Sequence, residues 1–180
     1  MPKSAYEQLA QAISGKASSL TESERNSLKA LLDSFKVSFP SFTVTVNYDQ
    51  TVGELIKVGK YDWKNNSIIS SYFASAEKGQ VGVTIHLFNF DHDISSEDAV
   101  REMEGKGFRP ATLKELLTLG AAHPDLQCSN PIVALGSIWR RPARDVCVPC
   151  LDGDRRSRDL CLYWWIGDWD SSWRFAAVRK

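Results

Sequence analysis

Five of the chain's six tryptophans, Trp139, Trp164, Trp165, Trp169 and Trp173, fall between residues 139 and 175. Each ring removes roughly 150–250 Å² from water when buried, so a segment this rich in them has to close over its own side chains. The sequence around them has period two. In Asp159-Leu160-Cys161-Leu162-Tyr163 the alternation predicts a strand with Leu160 and Leu162 turned inward and Asp159, Cys161 and Tyr163 turned outward. Trp139, Trp164 and Trp173 read as core, set among Leu160, Leu162, Phe175 and Val178. Trp165 and Trp169 stay open between core and a binding face, where rigid rings anchor a partner at low entropic cost.

The same region uses a restricted alphabet. Residues 128–179 contain no Lys, Glu, Gln or Met, although the first 127 residues carry 10 Lys, 9 Glu, 5 Gln and 2 Met. Arg and Asp alone carry its charge. Sheet structure disfavours Glu and Lys only weakly and does not exclude Gln. A coding explanation fits better: randomising both adenines of an AAC codon can yield Arg, Asp, Cys, Ser, Tyr, Ile, Gly or Ala, but never Lys, Glu, Gln, Met or Trp. The tryptophans are then a fixed frame and the small polar residues the randomised positions.

Four segments, GFRPATLKELLTLGA (107–121), PIVALGSIW (131–139), RDLCLYWW (158–165) and DWDSSWRFAAVRK (168–180), carry a likeness to a known family. So, more faintly, does VNYDQTVGELIKVGKYDW (46–63). In these segments the chain resembles the variable proteins of diversity-generating retroelements, which have a C-type-lectin fold. The resemblance implies a recognition protein with a diversified region at about 140–174. Its varied positions would be Arg141, Ala143, Cys147, Cys150, Asp152, Asp154, Ser157, Asp159, Cys161, Tyr163, Ile166, Gly167, Asp168, Asp170 and Ser172, with Trp165 and Trp169 as aromatics of the binding face. Exposed Arg, Asp, Tyr and Trp side chains resemble those of protein-binding surfaces, so the expected ligand, itself unknown, is a protein. The competing reading is a non-diversified structural or virion-associated protein of the same fold. A formylglycine-generating type of enzyme, which shares that fold, stands third.

The rest of the chain gives an α+β order. Ser4-x-x-Glu7 and Thr21-x-x-Glu24 read as capping boxes of two amphipathic helices that stop near Pro40. Their apolar stripes dock either on the rest of the domain or on another subunit, so the oligomeric state stays open. From Phe42 the period is two, with Phe42, Val44, Val46 and Tyr48 on one face. A helical turn ended by Gly59 follows, then Tyr61 and Trp63 as anchors beneath a loop, then a strand at 81–90 with Val81, Val83, Ile85 and Leu87 on one face. His86, on the other face with Phe88 and Phe90, reads as packed rather than ligating. Helices are predicted from Ser96 to about Glu104 and from the Thr112-x-x-Glu115 box to Gly120. After a loop with Pro124 and Pro131 the remainder is β. The expected organisation is a helical N-terminal extension over 1–39 and, over 40–180, a C-type-lectin-like domain with two helices, a loop-rich antiparallel sheet and paired terminal strands.

Composition bounds the function. Lys plus Arg equals Asp plus Glu at 22 each, so no nucleic-acid or anionic-membrane partner is implied. MPKSAYEQLAQAIS lacks the apolar run of a signal peptide, and no later run reaches the length of a membrane span, so a soluble chain, intracellular or virion-associated, is expected. A chain of 180 residues needs no disulfide staples, and Cys128, Cys147, Cys150 and Cys161 are expected as free thiols. Cys147-x-x-Cys150 with Cys161 suggests zinc, but His86, His92 and His123 all lie outside the stretch, and in a strand the first two cysteines point to opposite faces. Asp168 and Asp170 flank Trp169 without the Glu-Pro-Asn type of motif that calcium-dependent sugar binding uses, and they read as a solvated loop. No nucleophile is paired with a positioned base. Catalysis, metal and cofactor are therefore not expected.

Overall fold

A computed structural model describes residues 21–22, 39–141 and 145–180 of the chain. Two units are distinguished, Met1–Ser38 and Phe39–Lys180, and the second has a mixed α+β architecture. The helices expected over residues 4–36, apart from residues 21 and 22, lie outside the described residues, as does Ala143.

The strands are β1 (Ser41–Asn47), β2 (Trp63–Lys64), β3 (Gln80–Phe88), β4 (Ile94–Ser95), β5 (Phe108–Pro110), β6 (Ile132–Val133), β7 (Trp139–Arg140), β8 (Val146–Gly153), β9 (Arg158–Trp164), β10 (Asp168–Trp169) and β11 (Arg174–Arg179). The helices are α1 (Val52–Gly59), α2 (Ser96–Gly105), α3 (Leu113–Ala122) and α4 (Leu126–Ser129). One sheet runs in the order β1-β3-β11-β6-β8-β9-β2, with β5 also on β11 and β7 also on β8. A small second ribbon joins β10 to β4. The sheet departs from the expected antiparallel pattern at two joints, because β6 runs parallel to β11 and β2 parallel to β9. The terminal strands do not pair with each other either: β1 and β11 lie on opposite sides of β3.

Alternation along the strands builds a core on each face. Val44, Val46, Ile85, Ile132, Leu151, Leu160 and Ala176 join Leu55 and Ile56 of α1 and Leu113, Leu116 and Leu117 of α3 in the first core. Their sequence neighbours Val133, Val148, Cys150, Phe175 and Ala177 turn the other way, against Ala99 and Met103 of α2 and against Trp169 and Trp173. The middle of the sheet is thus covered on both faces, as a central strand without alternating polar residues requires.

Caps fix the helix ends near where the sequence places them. Thr51 and Glu54 form a complete capping box on α1. Ser95 accepts from Asp98 N and caps α2, which begins at Ser96 as predicted. Glu115 of α3 reaches back to Thr112 N at 2.6 Å. Tyr61 is packed as expected, whereas Trp63 lies in the edge strand β2 with half its surface exposed. The edge position leaves it nothing to lie beneath.

Candidate functional site

The hairpin β8–β9 sorts the nominated residues by face. Cys147–Trp164, Pro149–Leu162 and Leu151–Leu160 are cross-strand pairs on the first-core side. Val148–Tyr163, Cys150–Cys161 and Asp152–Asp159 are pairs on the opposite side. Leu160 is fully buried and Leu162 partly so, which matches the predicted alternation. Asp159 and Cys161 are half-buried and Tyr163 is exposed. Asp152 and Asp159 face one another, but each is tied locally: Asp152 Oδ1 accepts from Gly153 N at 2.7 Å and Asp159 Oδ1 from Ser157 Oγ at 2.7 Å. Asp154 Oδ1 accepts from Arg156 N and Ser157 N and so shapes the turn between the strands.

Cys147 and Cys150 are not surface positions. They point to opposite faces as predicted, yet both are buried, because β8 lies inside the sheet under a core on each side. Burial pushes the Cys147 thiol up. Hydrogen bonding with Cys161, together with burial, pushes Cys150 well above the ordinary thiol value and keeps it protonated. All four cysteines are free, and Cys161 packs partly against the second core.

Trp164 also departs from its expected place in the core. It is 49% exposed rather than core, because its side of β9 runs out past the end of the first core, and Arg141 lies over its ring at 5.3 Å. Trp139 is half-buried and Trp173 buried, in line with their reading as core. Of the two undecided rings, Trp169 is core, 3% exposed, and so is no binding-face residue. Trp165 is half-buried, with its indole N–H donated to Glu97 Oε1.

These rings pin the connection from β9 to β11. Trp169 Nε1 donates to Ser96 Oγ at 2.8 Å, and Ser96 Oγ donates to Trp165 O at 2.8 Å. Asp168 and Trp169 pair with Ser95 and Ile94 as the β10–β4 ribbon. Tyr163, Trp169 and Trp173 form a cluster with ring centroids 4.6–5.6 Å apart. Asn89 Nδ2 donates to Ser171 O at 2.8 Å, and Asn130 Nδ2 donates to Ser172 O at 3.0 Å. Asp170 Oδ1 accepts from Ser172 N and Oγ, which holds its carboxyl below the ordinary value. Between these ties Ile166, Gly167, Asp168, Asp170 and Ser172 all face solvent, Ile166 at 82% exposure. Gly167 takes a φ of +119°, which a side chain would strain.

Of the fifteen nominated positions, Arg141, Asp154, Tyr163, Ile166, Gly167, Asp168, Asp170 and Ser172 are exposed, and Asp152, Ser157, Asp159 and Cys161 half-buried. Residues that hold this surface from beneath escaped the sequence reading. Gln127 of α4 is buried and donates to Asp152 O and to Asp159 O, clasping the hairpin. Arg158 donates to Gly59 O, Gly120 O and Gln127 Oε1 and lies over the Tyr61 ring. A Cβ at Gly59 would collide with that ring, and one at Gly120 with the Tyr61 hydroxyl and Leu151. None of these carries a motif; only the long-range fold brings them to the hairpin.

A groove of about 710 Å³ lies apart from this surface, along β3, β5 and β11, and is lined in part by Tyr48, His86, Arg109 and Arg179. It contains none of the nominated residues. His86 packs edge-on against Phe108 at 4.8 Å, as expected, and burial with the nearby Arg179 charge lowers its pKa. Among the described residues no group of three or more His, Cys, Asp or Glu is disposed to hold a metal ion, and no helix is long and apolar enough to cross a membrane. No protein-family model, curated protein or solved structure matches the chain.

Proposed function

We propose that this chain is a recognition protein of C-type-lectin fold, that a retroelement diversified its exposed positions within residues 140–174, and that its ligand is a protein. The observation that carries the reading is the split within residues 165–173. Trp165, Trp169 and Trp173 fasten the backbone to α2 and the second core, while Ile166, Gly167, Asp168, Asp170 and Ser172 stand in solvent. A paratope needs such a division, because a fixed backbone spares each variant the ordering cost of binding. The anchors are also residues that adenine randomisation of AAC codons cannot produce, whereas the exposed set lies within its products. Ile166, a large apolar side chain held in water, suits a contact that a partner covers.

Sequencing the genomic neighbourhood tests the reading. The expected result is a near-duplicate of the 3′ coding segment that differs at adenines, accompanied by a reverse transcriptase. Neither being present would overturn diversification.

A further inference from the structure

We propose that the first-core side of the β7–β8–β9 end is a docking site for an acidic segment of a protein partner, in which Arg141 takes a carboxylate. Register sets Trp139, Cys147 and Trp164 in one row on three neighbouring strands, so the two indoles flank the buried Cys147. Arg141, two residues beyond Trp139 on the same face, lies over both rings at 6.0 and 5.3 Å. Tyr72 stacks on Trp139 with centroids 5.1 Å apart and planes 17° from parallel. Four planar groups therefore stand in a row, Tyr72, Trp139, Arg141 and Trp164, with Tyr72 and Trp164 each about half exposed.

A single exposed ring needs no explanation. Three adjoining rings around an arginine have the composition of an interface hot spot. The guanidinium decides the chemistry. Its side chain makes no hydrogen bond or ion pair with any described residue, while its backbone N–H donates to Asp145 O at 2.8 Å and anchors the strand end. The ring contacts use none of its N–H groups as hydrogen-bond donors, which leaves the fork that matches a carboxylate bidentately. A partner that covers the row also removes water from the cation–ring contacts and strengthens them. A nucleic-acid strand would place phosphate on Arg141 and bases on the rings. It also needs a track of further cations, which the row of Tyr72, Trp139, Arg141 and Trp164 does not offer, whereas a peptide carboxylate flanked by apolar side chains needs only the one guanidinium and the rings.

The inference relies on the recognition reading only in taking a protein as ligand. The test uses the full chain and fluorescence anisotropy at low salt with three fluorescein-labelled probes: a peptide of alternating Asp and Phe, the same peptide with Asn for Asp, and an oligodeoxythymidine. The Asp–Phe peptide is expected to bind, with affinity about tenfold or more lower for the Asn peptide, for Arg141→Gln and for Trp164→Ala. Arg141→Lys should fall between, since lysine keeps the charge and loses the fork. All three variants should melt with the wild type, because both side chains are exposed. Absence of peptide binding, equal binding of the Asp and Asn peptides, indifference to Arg141→Gln, or tighter binding of the oligonucleotide would each overturn the proposal. Its failure beside an intact template repeat would sink the docking site and leave diversification standing; peptide binding without a repeat would do the reverse.

Discussion

Four donors make it possible for Glu115 to stay ionised with no solvent exposure. Tyr48 OH reaches Oε1 at 2.7 Å, Arg109 supplies Nη1 and Nη2 at 3.0 and 2.6 Å, and Thr112 N lies at 2.6 Å. Burial works to raise this carboxyl, but the hydrogen bonds and the Arg109 charge outweigh it, and the folded-state pKa lies below the ordinary value. A depressed folded pKa gives stability that is fully present above the unfolded value, about 4.3 for glutamate, and is lost as pH falls through the folded one. Thermal melts from neutral pH to about 3 should therefore show the wild type losing its advantage over Glu115→Gln below about 4.3; parallel curves would disprove the assignment. Arg158 gives a second single-residue test. Arg158→Ala leaves the Gly59 and Gly120 carbonyls and Gln127 Oε1 without their donor, and each buried group so stranded costs roughly 1–3 kcal/mol. Arg155→Ala and Arg156→Ala, on exposed residues three and two positions earlier, should stay within about 0.5 kcal/mol in denaturant titrations. In the run Asp-Arg-Arg-Ser-Arg nothing local separates these three arginines, and the glycine carbonyls that single out Arg158 lie 99 and 38 residues away.

Elements with their own periodicity or cap were legible, and elements fixed by distant partners were not. The period of β1, β3 and β9, the helical turn ended by Gly59 and the Glu115 half of the box at Thr112 are local patterns, and the structure follows them. The ribbon β10–β4 is two residues long on each side and exists because Trp169 is anchored on Ser96, so no window of sequence could reveal it. The cysteines were misread for the same reason. An apolar run such as Val146–Leu151 is consistent with burial on both faces, but only the place of β8 between β6 and β9 decides it. The hairpin's energetics should follow that geometry. Leu160→Ala should cost roughly 2–5 kcal/mol, Leu162→Ala less because it is partly exposed, and Trp164→Ser little. Cys150→Ser, which puts a hydroxyl into the second core, should destabilise by about 1–3 kcal/mol, while Cys161→Ser should cost less. Chemical denaturation of the five single variants checks the order, and a larger loss for Cys161→Ser than for Leu160→Ala would invert the faces.

Across the whole unit from Phe39 to Lys180, one sheet with a core on each face decouples what is displayed from what is held. Residues 165–173 lie on the second core through Trp169 and Trp173, and the ties from Ser96, Asn89 and Asn130 fix their backbone independently of Ile166 and Asp168, though not of Gly167, whose φ of +119° a side chain would strain. Asp170 and Ser172 are intermediate, because their side chains also bond each other across the turn. Replacing Ile166, Asp168 and Tyr163 together by Ser should leave most of the melting temperature, with the loss confined to the ring contacts of Tyr163, and the backbone of 165–173 should stay within about 1 Å of the parent. Replacing Ser96 by Ala removes no displayed side chain, yet it takes the acceptor from Trp169 Nε1 and the donor from Trp165 O. Stranding two such partners should lower stability by roughly 1–3 kcal/mol per group and speed amide exchange across 165–173 before the rest of the sheet exchanges. Native-state hydrogen exchange on both variants decides the matter. Faster exchange in the triple serine variant and unchanged exchange in Ser96→Ala would mean that the displayed side chains themselves hold the loop, and a surface that depends on its own variable residues could not be varied freely.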